Sequence, residues 1–251
     1  MATNLPSSVP FCLFVQPIRP LVEAEPPLLY YEVLIRIRDE KGNIVLPARF
    51  MPNAERQNLS LKIDRWVLDS ILHQLAEHPK HTGQVGLCGI NVALETVTDR
   101  AQTDDYAATM QRLLRETKVA PERICIEVPE RAAALQPDHT ARFCYQIRAL
   151  GCRVALDDFG SGGISLLALK EIAIDQLKID GAFGHRLEWD PYSLAVVKAV
   201  RELAQARGLQ VVAKGVEDLE TLDLLRTLGV DFAQGYAVAQ PLPAEGFFGD
   251  R

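Results

Sequence analysis

The 251-residue sequence is marked first by what it lacks. It has no C-x-x-C pair, and its cysteines, Cys12, Cys88, Cys125, Cys144 and Cys152, are odd in number. That argues against a disulfide framework or a zinc site and leaves reduced, mostly buried thiols, as expected of a cytoplasmic protein. No apolar run reaches the roughly 18 residues of a membrane span. Met1 to Pro10 lacks a basic stretch followed by a long apolar one and so does not read as a signal peptide. Small and polar, residues 1–10 read as a linker or flexible N-terminus ahead of a single domain over 11–251, expected to be cut from a longer signalling chain. Basic excess is missing too. The 27 Lys and Arg face 33 Asp and Glu, for a net charge of −6, whereas duplex nucleic acid demands basic surface. The G-x-G-x-x-G turn, the G-x-x-x-x-G-K-[ST] loop and the G-x-S-x-G elbow are all absent, which counts against dinucleotide-binding, P-loop and α/β-hydrolase readings. Disorder is excluded by 48% hydrophobic and 24% charged residues, ordinary values for a chain with a core.

What is present is alternation. Short apolar, β-branched runs predict strands over 11–18, 30–37, 85–94, 123–128, 153–159, 176–179, 210–213 and 232–238. Between most of them lie amphipathic stretches. In 61–77, Ile63, Val67, Ile71 and Leu75 recur every four residues, with Leu68 and Leu72 widening the stripe. Further helices are predicted over 106–117, 138–150, 192–207 and 219–228, the last three stopped by Gly151, Gly208 and Gly229. Pro47 and Pro52 read as punctuation before the 61–77 helix. Eight strands with interleaved helices make an α/β chain of the (β/α)8 TIM-barrel type, with an open doubly wound sheet as the alternative.

In such a barrel, chemistry sits at the C-terminal ends of the strands. Those ends carry Glu32, Asn91, Glu127 with Glu130 just after, Asp157 and Asp158, Lys178, Lys214 and Glu217, and Gln234. A single carboxylate on a strand is more often a solvated side chain, but their recurrence at one level on successive strands predicts a shared mouth. Carboxylates crowded in that way repel unless cations separate them, and Mg²⁺ or Mn²⁺ among oxygen ligands is suited to in-line phosphoryl chemistry. The histidines, His73, His78, His81, His139 and His185, fall on helices and loops and read as surface residues.

The motifs that carry these residues resemble the EAL-domain family, the cyclic di-GMP phosphodiesterases and their inactive relatives, from about Phe14 to Pro243. Gln16-Pro17-Ile18, Glu32-Val33-Leu34 with Arg36, Glu127-Val128-Pro129-Glu130, Asp157-Asp158-Phe159-Gly160, Lys178-Ile179-Asp180 and Gln234-Gly235-Tyr236 stand in the family's order. The resemblance implies a modified TIM barrel whose first strand runs antiparallel. It also implies two Mg²⁺ or Mn²⁺ ions held by residues matching Glu32, Asn91, Glu127, Asp157 and Asp158, and hydrolysis of cyclic di-GMP to linear pGpG. The nucleotide contacts it implies are Gln16, Glu32, Leu34, Arg36, Asp64, Asn91, Asp157, Glu217 and Gln234.

The family's Glu-Gly-Val-Glu motif here reads Lys214-Gly215-Val216-Glu217, with a lysine at the general-base position. An ammonium offers no lone pair, and its charge opposes a metal ion. Ser161 to Ser165 and Ala239-Gln240-Pro241-Leu242 also depart from the usual Thr-Gly-Tyr-Ser-Ser and Ser-Arg-Pro-Leu. The expectation drawn from these departures is a degenerate domain of the FimX type. It would have no catalytic residue (Lys178 and Lys214 being vestigial), no metal, and the five acidic and amide ligands as relics. It would act as a non-hydrolysing cyclic di-GMP receptor that signals to a protein partner. That subtype resemblance implies a PilZ-domain partner, a neighbouring degenerate GGDEF domain, and control of type IV pili and twitching motility. The alternatives are a weakly active Mg²⁺- or Mn²⁺-dependent phosphodiesterase and a ligand-free interaction scaffold.

Overall fold

A computed structural model describes residues 11–22, 25–185 and 187–248, so the linker expected over residues 1–10 lies outside the described residues. Ten strands form one sheet: β1 (Phe11–Pro20), β2 (Leu29–Arg38), β3 (Ile44–Val45), β4 (Val85–Asn91), β5 (Ile124–Pro129), β6 (Arg153–Phe159), β7 (Gln176–Ile179), β8 (Gln210–Ala213), β9 (Phe232–Ala233) and β10 (Leu242–Pro243). Strands β2 and β4 through β9 run parallel to one another in order. Strand β1 lies antiparallel to β2 on one side, from Phe11 opposite Ile37 to Ile18 opposite Tyr30, and antiparallel to β9 on the other. The sheet thereby closes into an eight-stranded mixed barrel, with β3 and β10 added outside as two-residue antiparallel ribbons. Closure removes the free edges that an open sheet would leave.

Strands β5, β7, β8 and β9 are buried on both faces, which is why their sequences are near-continuous apolar runs rather than alternating ones. Ile124–Pro129, for example, is fully buried except for its last residue. The helices cover the outside. Ser60–Glu77 buries Ile63, Val67, Leu68, Ile71, Leu72 and Leu75, the stripe its spacing predicts. Helix starts are fixed by side-chain acceptors: Asp99 caps Arg100–Thr117, Asp190 caps Pro191–Arg207 and Asp218 caps Leu219–Thr227.

Three sequence expectations are corrected. Pro47 and Pro52 do not keep 47–56 out of a helix, since Pro47–Arg56 is helical. Pro47 takes the first position, where no intrahelical N–H bond is lost, and Pro52 lies inside a helix only ten residues long. The last barrel strand is only Phe232–Ala233, because the chain turns at Gln234 and places that side chain at the strand end instead of within the ladder. The histidines are not all surface residues. His81 packs among Tyr31, Phe247 and Phe248, with ring centroids 5.9, 5.1 and 4.8 Å away, and burial lowers its pKa.

Candidate functional site

Strand geometry accounts for the gathering of side chains at the mouth. Successive residues of a strand point to opposite faces, so Glu32, Leu34 and Arg36 share one face of β2. Register places Gln16 opposite Glu32 across β1 and β2, and Asn91 opposite Glu127 across β4 and β5. Glu32 is the hub. Its Oε1 accepts from Asn91 Nδ2 at 2.6 Å, and its Oε2 accepts from Lys178 Nζ at 2.7 Å and Gln234 Nε2 at 2.8 Å. Lys178 is fully buried and donates to Glu127 as well. Gly89 on β4 leaves the room Glu127 needs, since a Cβ there would lie 2.1 Å from Glu127 Oε1.

A second ammonium stands closer to solvent. Lys214 Nζ donates to both oxygens of Asp157, at 2.8 and 2.9 Å, and to Asp158 Oδ1 at 2.6 Å. Its backbone is pinned from behind, because a Cβ at Gly184 would sit 1.8 Å from the Lys214 carbonyl oxygen. Asp158 adopts φ 53°, a left-handed conformation uncommon for a non-glycine residue and costly unless its surroundings enforce it. Those surroundings include Glu130, whose carboxylate accepts the backbone N–H groups of Gly160 (2.9 Å), Gly162 (2.5 Å) and Ile164 (3.1 Å) and so fixes the loop after β6.

The electrostatics follow from depth. Burial alone would raise the Glu32 carboxyl, but the Lys178 ammonium, with Lys214 behind it, more than offsets this and holds it near 2. Burial and the neighbouring Glu32 charge push Glu127 the other way, to about 8, despite its contact with Lys178. Burial would lower both lysines. The carboxylates prevail: Glu127 and Glu32 raise Lys178, Asp157 raises Lys214, and both stay charged at neutral pH.

Above this network opens a cavity of about 360 Å³ lined by Gln16, Glu32, Leu34, Lys214, Glu217 and Gln234, with Tyr236 on its rim. A larger cavity, about 590 Å³, lies at the opposite end of the barrel. There Arg148 and Arg153 are paired with Asp175 at 3.2 and 3.3 Å, and none of the carboxylate cluster is present. The carboxylates and lysines thus gather at the smaller mouth.

The expected residues are mostly brought together. Glu32, Asn91, Glu127 and Lys178 form one cluster and Asp157, Asp158 and Lys214 another, with Asn91 and Asp158 exposed, and Gln16, Leu34, Glu217 and Gln234 face the cavity. Glu217 is exposed and lies 3.0 Å from His185, a contact that spacing along the chain does not foretell. Arg36 lies farther along β2. Its guanidinium donates to the Ile35 carbonyl at 2.8 Å and sits over the Phe14 ring at 5.8 Å. Asp64 is the exception. It does not face the mouth but is buried on the Ser60–Glu77 helix, where Oδ2 accepts from Thr96 Oγ1 at 2.6 Å and from the Ala93 N–H at 2.8 Å. Its task is to tie down the chain just after Asn91. Sequence reading missed the roles of Gly89 and Tyr236, neither of which has a charge to betray it.

Whether divalent cations fit can be judged from the donor set. Carboxylate and amide oxygens are the right chemistry for Mg²⁺ or Mn²⁺. Among the described residues, however, no three acidic, thiol or imidazole groups converge in ready ligating geometry, because the carboxylates have turned onto the two lysines. Glu32, Asn91 and Glu127 offer the oxygen chemistry an ion needs, but Lys178 bridges the two carboxylates there just as Lys214 bridges Asp157 and Asp158.

A model of the EAL domain matches residues 5–241. The cyclic di-GMP phosphodiesterase PdeB of Shewanella oneidensis is 33% identical over 94% of this chain and 27% of its own length. The chain thus spans little more than a quarter of that relative. Among solved structures, the PaMucR phosphodiesterase in its c-di-GMP complex superposes with a TM-score of 0.85 at 28% identity, covering 94% of each chain. The FimX EAL domain of Pseudomonas aeruginosa bound to c-di-GMP superposes at 0.79 and 25% identity, covering 92% of this chain and 90% of that one. These relatives correct the expectation that the chain is no enzyme: phosphodiesterases by name stand beside FimX. Physically, Lys214 replaces one group of a constellation whose other members, Glu32, Asn91, Glu127, Asp157 and Asp158, still converge. The chain belongs to the EAL-domain family.

Proposed function

We propose that the barrel mouth binds cyclic di-GMP and hydrolyses one of its phosphodiester bonds slowly, with Mg²⁺ or Mn²⁺. The observation that carries this reading is the hub at Glu32, held ionised by Lys178 and tied to Asn91 and Gln234 at the floor of an open cavity. Its likeness to PaMucR, higher in TM-score than its likeness to FimX, supports hydrolysis over mere reception. When bound, a divalent cation supplies Lewis acidity toward a phosphodiester oxygen and toward water.

The chain's own groups do the rest. Gln16, Gln234 and Glu217 present amide and carboxylate groups to a guanine or its ribose, and Leu34 offers an apolar contact. The Lys214 ammonium can donate to a phosphate oxygen but cannot take a proton from attacking water. Loss of one acid–base group costs about 10²- to 10⁴-fold in rate, which is why the reaction is slow. The test is chromatography of cyclic di-GMP incubated with the protein and Mn²⁺, against a chelated control. Linear pGpG above the control is expected, and nucleotide recovered intact would refute hydrolysis.

A further inference from the structure

Glu217 lines the mouth cavity, and a histidine from a different strand end meets it there. His185 Nδ1 lies 3.0 Å from Glu217 Oε2, and among the described residues no other cation is paired with that carboxylate. A carboxylate only accepts hydrogen bonds, so the proton of this contact sits on Nδ1. Both side chains are half exposed, at 52% each, and an exposed pair of that kind adds little to stability.

The backbone, not the pair itself, enforces the meeting. His185 follows the one-turn helix Gly181–Gly184 and donates its N–H to the Gly181 carbonyl at 3.2 Å. That turn lies directly against the chain leading to Glu217. A Cβ at Gly184 would collide with the Lys214 carbonyl, and one at Gly215 would lie 2.6 Å from the Gly181 oxygen. Val216, fully buried, donates its N–H to the Gln234 carbonyl at 3.1 Å and accepts from the Ala237 N–H at 3.0 Å. Three loops are thus locked backbone to backbone, and they deliver His185 to Glu217.

The chemistry of the bases says what such a contact achieves. The Watson–Crick edge of guanine presents N1–H and an N2 amino group side by side, both donors, whereas adenine presents an acceptor at N1. A carboxylate aimed at that edge accepts both guanine donors and repels adenine. A carboxylate free to rotate must be ordered when the ligand arrives, at an entropic cost. A donor already seated on Oε2 restricts that rotation beforehand. We propose that His185 is a positioning residue that holds Glu217 toward the guanine edge and so sets the preference of the mouth for guanine over adenine. This rests on the mouth binding cyclic di-GMP and assigns a base-selecting pair within that reading.

The experiment measures a ratio. Cyclic di-GMP and cyclic di-AMP are each titrated calorimetrically into the intact protein and its variants in Mg²⁺, and melting temperatures are recorded alongside. The wild type should prefer cyclic di-GMP. His185→Ala should reduce that preference about tenfold, through weaker cyclic di-GMP binding, with an unchanged melting temperature. His185→Asn puts an amide N–H where Nδ1–H stood and should restore most of the preference. Glu217→Gln, which turns one acceptor into a donor, should lose the most. A His185→Ala protein with the wild-type ratio would overturn the proposal, and if Glu217→Gln still loses the preference, base reading by Glu217 stands without its histidine. Loss in His185→Ala that comes with a lowered melting temperature and is not rescued by His185→Asn would also overturn it. No binding of either nucleotide by the wild type would refute the reading of the mouth itself, and this assignment with it.

Discussion

Lys178 and Lys214 carry the same charge and differ in depth, and depth decides what each does. Lys178 is wholly buried and shares its ammonium between Glu32 and Glu127. Removing it strands buried carboxylates, so Lys178→Met is expected to destabilise the fold by about 3–5 kcal/mol, read from urea denaturation. A loss below 1 kcal/mol would mean the carboxylates are neutral without it. Arg36 lies on the Glu32 face of β2, nearer the strand's end, and its contacts in the protein are a backbone carbonyl and an aromatic face. Arg36 is buried, and among the described residues no carboxylate pairs with its guanidinium, which leaves that charge for a phosphate that reaches this depth. Arg36→Ala should weaken cyclic di-GMP binding tenfold or more in calorimetric titration, from loss of a charge-assisted pair worth about 1.5–3 kcal/mol. Unchanged affinity would place the phosphate elsewhere. Residues of this kind were legible in the sequence because they are polar in apolar runs. Gly89 was not, since its contribution is the absence of a side chain beside Glu127.

At the scale of elements, the strands were read well where burial on both faces makes them uninterrupted apolar runs, as in β5, β6 and β7. The helix Pro47–Arg56 was hidden by its two prolines, whose cost depends on position within the helix rather than on presence. Asp64 was misassigned for a related reason. A carboxylate two residues before Trp66 has no sequence mark that separates a ligand contact from a buried brace. Burial raises its pKa from 3.8 to about 7 despite the Thr96 and Ala93 hydrogen bonds. Proton uptake by the folded state therefore favours folding fully below pH 4, and that contribution is lost as pH climbs toward 7. Asp64→Asn keeps an oxygen for both donors and lacks the titration. Its melting temperature relative to wild type should rise between pH 4 and 8, and a constant difference would contradict the burial argument. The loop after β6 is a second braced element. Glu130→Ala should release the Gly160, Gly162 and Ile164 amides to faster hydrogen exchange, with no comparable change in the outer helices. Protection that persists would show that the loop holds itself.

The whole molecule places its charge unevenly. A net charge of −6 looks unsuited to an anionic ligand, yet the acidic groups at the mouth are partly offset by Lys178 and Lys214, with Arg36 beyond them. Closure of the barrel by antiparallel β1 is what brings Gln234, near one end of the chain, within hydrogen-bond reach of Gln16 and Glu32 near the other. That long-range convergence was legible as a repeated pattern at strand ends, but the pairing of Lys214 with Asp157 and Asp158 was not, since spacing does not say which way an ammonium turns. As proposed, this mouth hydrolyses cyclic di-GMP with Lys214 as its brake. The most direct test compares pGpG release by the wild type and by Lys214→Glu under saturating nucleotide and Mn²⁺. A slow, chelator-sensitive wild-type rate that rises by about 10²-fold or more in Lys214→Glu is predicted. Equal rates in the two proteins, or none in either, would contradict it.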